Sequence, residues 1–117
     1  MTAYTAPGIP KITPSFVSAK KIISVTATYF NVGNYFMPDT IKRRNRKREI
    51  VVARQISMLL IRKNTQLSLK SIGSIFGKDH TTVIHSIKTI TDQSEVNEET
   101  LRDITFINNQ LYNSNRS

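Results

Sequence analysis

The chain has 117 residues, enough for one compact domain but too few for a catalytic domain beside a separate binding domain. Lys and Arg outnumber Asp and Glu 17 to 8, a formal net charge of +9 that draws the protein toward polyanions such as nucleic acid or an anionic membrane face. Cysteine is absent and there are two histidines, which excludes disulfides, thiolate metal sites and cysteine catalysis and leaves no set of ligands for a protein-only zinc cage.

The charge is uneven along the chain. Residues 1–91 hold 15 basic and 3 acidic side chains, whereas residues 92–117 hold 2 and 5. The electrostatic footprint therefore lies in the first part. No apolar run approaches the roughly 20 residues of a membrane-spanning helix, and the amino terminus lacks the basic-then-apolar layout of a signal peptide. These features predict a soluble, cytoplasmic, nucleoid-associated protein without a membrane partner.

Residues 1–15 carry three prolines, one glycine and several Thr and Ser without periodicity, and are expected to form a flexible tail. From 16 to about 29, Val17, Ile22, Ile23 and the Tyr29-Phe30 pair mark one stripe of a helix capped by Ser15, or by Thr13 with Pro14 in the first turn. Gly33, Asn34 and Pro38 break that pattern and lead to KRRNRKR at 42–48, six positive charges in seven positions. A second, largely buried helix is expected from about 46 to 63, using Val52, Ala53, Ile56, Met58, Leu59, Leu60 and Ile61.

Asn64 and Thr65 end that helix. Ser68 is placed to cap a short helix over 69–76, with Leu69, Ile72, Ile75 and Phe76 inward and Gly77 as its terminator. Asp79 is placed to cap the next helix, to about 90, with Val83, Ile84, Ile87 and Ile90 at core spacing. A last amphipathic helix over 97–112 uses Leu101, Ile104, Ile107 and Leu111, with Glu98 and Glu99 near its positive end. The expected class is all-α: one domain over 16–112, with 113–117 disordered.

Two short helices joined by a tight turn are what a helix-turn-helix requires, the second presenting its amino end to the major groove of DNA. His80, Thr81 and Thr82 occupy that end and offer short polar groups for base edges or phosphates. Asp79 serves either as a helix cap alone or also as an acceptor for a cytosine amino group. Arg48, Gln55 and Arg62 fall at seven-residue spacing beside Arg54. Lys78 precedes the reading helix and Lys88 lies along it, so that these side chains form a row suited to a phosphate backbone. Arginines of the KRRNRKR run suit a narrow minor groove, the alternative being an ordinary solvated charge run.

His80 and His85 are five apart and do not share a helix face, which argues against a metal pair; His85 is expected at the helix surface or half-packed, the alternative being a phosphate contact. Glu95, Glu98, Glu99 and Asp103 have no nucleophile, base or oxyanion pattern beside them, and a solvated face accounts for them. No enzymatic activity, cofactor or metal is expected.

The segment at 46–86 resembles the carboxy-terminal, box-binding domain of the bacterial chromosomal replication initiator DnaA. The likeness is carried by ARQ at 53–55, SL..IG at 68–73 and FG.DHTTV at 76–83, and with weaker flanking helices it extends over about 16–112. The resemblance implies a helical fold related to the Trp-repressor arrangement and recognition of a short DNA box. It implies base contacts by Asp79, His80 and Thr81 in the major groove, with Thr82 also at the DNA surface. It places Arg54, Gln55 and Arg62 at the backbone and Arg46 in the minor groove, with Arg44 and Arg48 beside it. The turn Phe76-Gly77-Lys78-Asp79 is one residue shorter than the family's usual one, so the box sequence is not carried over.

No GxxxxGK[ST] loop occurs and four glycines leave no other nucleotide cradle, so no nucleotide is expected, and the chain reads as a stand-alone binding domain without the initiator's ATPase. The rival readings are a nucleic-acid binder without sequence preference, a regulator of a promoter or mobile element, and an interaction module for a full-length initiator or a second copy. The aromatics, which would serve the first rival as stacking platforms, fall mostly at core positions or in loops.

Overall fold

The computed structural model describes residues 17–31 and 48–113, and within them the chain is entirely helical. Five helices follow in order: α1 (Ala19–Phe30), α2 (Arg48–Asn64), α3 (Leu69–Phe76), α4 (His80–Val96) and α5 (Glu98–Asn113). The tail at 1–15, the arginines Arg44 and Arg46, and the segment 114–117 lie outside the described residues.

The first helix starts three residues later than the apolar spacing predicts. Ser18, in extended conformation, caps it by accepting the Lys21 N–H at 3.1 Å, a role expected of Ser15 or Thr13. Val17 before the cap and Ile22 one turn beyond it are both buried, the arrangement of a hydrophobic staple that fixes how the chain enters the helix. Asn31 ends α1 with a positive φ of 54°, tolerated by asparagine, and its N–H bonds back to the last turn.

The second helix is the spine. It packs against α1, α3 and α4, and buries Ile50, Ala53, Ile56, Met58, Leu60 and Ile61. Its end is tied to α5: the Asn64 side-chain amide donates to the Leu60 carbonyl at 2.8 Å and to Asn108 Oδ1 at 3.1 Å, while the Tyr112 hydroxyl donates to Asn64 Oδ1. At the other end of α5, the Tyr29 hydroxyl of α1 donates to Asp103 at 2.5 Å, and this bond, first among its causes, raises the tyrosine's pKa.

Sequence periodicity places too much of α4 and α5 inside. Val83 and Ile90 are buried, but Ile84 is 46 % exposed, and in α5 Leu101 is 51 % exposed while Ile104, Ile107 and Leu111 are buried. The stripe that meets the core is thus narrower than the apolar run. Aromatic packing follows suit: Phe76 is buried, but Tyr29 and Phe106 pack together at a ring separation of 5.3 Å on the surface. The fourth helix also runs six residues past its expected end, through TDQSEV, because no breaker intervenes before Asn97. That residue ends α4 and opens α5, its side chain accepting the N–H groups of Glu99 and Thr100 at 2.9 and 3.3 Å.

Two hydroxyls in the core, Thr26 of α1 and Ser57 of α2, are fully buried without a hydrogen-bond partner. A buried unsatisfied polar group costs about 1–3 kcal/mol. Thr26→Val and Ser57→Ala are therefore each expected to raise the melting temperature, by a few degrees, in thermal denaturation followed by circular dichroism; a fall for both would show that the hydroxyls are satisfied in solution.

Candidate nucleic-acid interface

The junction between α3 and α4 is built by local chemistry. Ser68, extended, caps α3 by accepting the Ser71 N–H at 3.0 Å. Gly77 closes the helix at φ 69°, a conformation that favours glycine; its N–H donates to the Ser74 carbonyl at 3.3 Å and the next N–H, of Lys78, donates to the Gly73 carbonyl at 2.8 Å. Asp79 then starts α4, its Oδ1 accepting the Thr82 N–H at 2.8 Å. Three residues, 77–79, make the whole turn.

So short a turn needs the two helices close together, and Gly73 permits it. A Cβ at this buried position would stand 2.3 Å from the Lys78 carbonyl oxygen and 3.3 Å from the carbonyl carbon of Asp79. The absent side chain thus lets the backbone of the turn lie directly on α3, which fixes where the amino end of α4 points.

That end faces outward. Asp79, His80, Thr81 and Thr82 are all exposed, while Val83 behind them is sealed in the core. Beside them lies a polar groove of about 350 Å³ between α2 and α4, lined by Gln55, Thr81, Thr82, His85, Ser86 and Thr89. It adjoins a second hollow of about 320 Å³ in which Gln55 and Thr89 recur and Arg48 stands at the start of α2. Gln55 and Thr89 therefore border both hollows, one reaching the amino end of α4 and the other Arg48 at the start of α2.

The other expected site residues are placed as follows. Arg62 is exposed and donates from Nη1 to the Leu67 carbonyl at 3.3 Å, which ties it to the loop before α3. Lys78 is half-buried in the turn, and Lys88 is exposed and ion-paired with Asp92 at 3.3 Å one helical turn away. Arg54 stands apart, only 9 % exposed, and burial lowers its guanidinium pKa. Its neighbour Gln55 is the one that opens into the groove. His85 lies in the groove, and Ser86 and Thr89 are groove residues that the sequence reading did not single out as contacts, although the spacing Thr81, His85, Thr89 follows one face of a helix. Among the described residues, no group of His, Asp and Glu is placed to hold a metal ion.

The exposed Asp79 carboxylate is held below the usual carboxylate range, chiefly by the hydrogen bonds it accepts from the backbone and side chain of Thr82. A depressed folded-state value means that the cap stabilises the protein above the ordinary carboxylate pKa and is lost as pH falls through the lower, folded-state value. Thermal melts should accordingly show the contribution of Asp79 undiminished from pH 8 to about 5 and fading only in stronger acid. Asp79→Ala is expected to lower the melting temperature by a few degrees near neutrality, and Asp79→Asn, which keeps the cap, to restore most of it. Equal losses for both would show that capping is not the carboxylate's role in stability.

Residues 19–90 match the family described as the bacterial dnaA protein helix-turn-helix, and they make up more than half of the chain. The chain belongs to that family. It is similar to the chromosomal replication initiator protein DnaA of Corynebacterium aurimucosum, 40 % identical over 101 residues that cover 86 % of this chain and 18 % of that protein. With the DnaA of Deinococcus deserti it is 42 % identical over 77 residues, 66 % of this chain and 16 % of that protein. With the DnaA of Bacteroides fragilis the identity is 36 % over 102 residues, 86 % and 21 %. The chain thus spans about a fifth of the length of these DnaA relatives. Within the described residues, no helix is long and apolar enough to cross a membrane.

Proposed function

We propose that this DnaA-family domain binds double-stranded DNA with sequence preference and serves the initiation of replication or its control. The observation that carries the reading is the outward-facing start of α4, His80-Thr81-Thr82, whose two threonines border a polar groove that shares Gln55 with the hollow at Arg48. A recognition helix entering the major groove by its amino end presents these side chains to base edges. On this reading Asp79, His80, Thr81 and Thr82 meet the bases, Gln55, Arg44, Arg48 and Arg62 meet the backbone, and Arg46 enters the adjacent minor groove. The matching region of the relatives belongs to proteins named as replication initiators, which supports a role at an origin. Binding, not catalysis, is the activity we assign.

Selection of bound duplexes from a random library tests the proposal directly, and an enriched motif is the expected outcome. With about five phosphates neutralised, log K should fall against log salt with a slope of roughly −4.5. Equal competition by unrelated DNA would favour the non-specific alternative. On the enriched duplex, His80→Ala is expected to cost ~1–3 kcal/mol and to relax preference at one base pair, whereas Arg62→Ala should weaken matched and scrambled duplexes alike. Equal, uniform losses for both substitutions would overturn the assignment of His80 as a reader.

A further inference from the structure

Beyond the residues already placed at the interface, α3 contributes a side chain that neither the family likeness nor the groove brings forward. Gly73 marks the face of α3 that lies on the turn, since its missing Cβ would meet the Lys78 carbonyl and approach the carbonyl carbon of Asp79. Positions three apart on a helix are surface neighbours. Lys70 is the position three residues before Gly73, so it stands within one helical turn of the place where the recognition helix begins. It is exposed.

The other cations around the helix-turn-helix are engaged or set back. Lys88 is paired with Asp92, Arg62 donates to the Leu67 carbonyl, and Lys78 is half-buried. Lys70 has no hydrogen-bond or ion-pair partner among the described residues. Its ammonium, at the end of a flexible four-carbon stem, offers three donors and no acceptor. The reading end itself is short of such a group: Asp79 is an acceptor, and His80, Thr81 and Thr82 are short side chains. A guanine presents two acceptors, N7 and O6, in the major groove and is the base a lysine selects.

We infer that Lys70 is a specificity-determining residue that reaches into the major groove beside the start of α4 and reads the N7 and O6 acceptors of a guanine. This inference rests on the proposal that the chain reads duplex DNA. It means that the first helix of the motif takes part in reading as well as in buttressing the second.

The test is a panel of duplexes carrying every single-pair change in the motif enriched by selection, titrated with the unaltered chain and with K70M, K70R and H80A. Because Lys70 is exposed, K70M and K70R should melt like the unaltered chain. K70M is expected to lose discrimination by roughly tenfold or more at one G·C pair, distinct from the pair lost in H80A, and K70R to retain it. A K70M that weakens every duplex by the same factor would show a phosphate contact and overturn the inference. So would a K70M whose panel is identical to that of the unaltered chain. An unaltered chain that prefers no duplex would instead sink the underlying proposal of sequence-preferring binding, and the inference with it.

Discussion

Gly73→Ala is expected to destabilise the domain by about 1–3 kcal/mol, toward the upper end, and to remove most of its affinity for the selected duplex even where the protein remains folded. The added methyl would stand 2.3 Å from the backbone carbonyl oxygen of Lys78, and the atom it meets belongs to the turn and not to the tip of a flexible side chain. Relief therefore requires α3 and the start of α4 to move apart, which displaces together the residues proposed to meet the bases, Asp79, His80, Thr81 and Thr82. Gly77→Ala supplies the contrast: nothing lies within 4 Å of its Cβ, and only its φ of 69° is strained. That strain costs about 1–2 kcal/mol for a residue bearing a Cβ. Melts and binding measured side by side should show Gly77→Ala losing stability with affinity near that of the unaltered chain at temperatures where it is folded, and Gly73→Ala losing both. Full affinity in folded Gly73→Ala would show that the close approach does not set the reading geometry.

Phe76→Ala should have the larger effect on stability alone, about 3–5 kcal/mol. Phe76 is among the largest fully enclosed side chains and is the last residue of α3, so its ring is core for the helix that carries the turn. A loss of that size is a large fraction of the 5–15 kcal/mol typical of a folded domain. Chemical denaturation at 25 °C should show the midpoint falling steeply, and Phe76→Leu, which refills most of the volume, recovering much of it. A change below about 1 kcal/mol for the alanine would show that the ring is not packed as described.

Much of this architecture is legible in the sequence because local chemistry and packing agree there. Ser68, Gly77 and Asp79 mark the ends of α3 and the start of α4 at the positions where the structure has them, since each supplies a cap that its neighbours cannot. Agreement fails where periodicity is asked to report burial. Ile84 and Leu101 have core-like spacing, yet burial depends on which neighbours an element meets, and both stand largely in solvent. The start of α1 was hidden by the several serines and threonines that compete to cap it, and the end of α4 by a polar stretch that lacks both apolar signal and breaker. For the candidate interface, residue type and position single out His80, Thr81 and Thr82, which the structure leaves exposed, and Gln55, which lines the groove. They do not separate exposed Arg62 from enclosed Arg54, which lie eight positions apart on one helix.

The length of α4 has a mechanical consequence. Its 17 residues make a rod of about 25 Å, seated on α3 at one tip through the turn at Gly73 and held at the other where Asn97 turns the chain into α5. Pivoting such a lever by only about 10° at its rear would swing the front by roughly 4 Å, more than the span of a hydrogen bond. On the proposed reading, fidelity at the duplex is thus an angular tolerance held in part from the far side of the molecule, by residues that never touch a base.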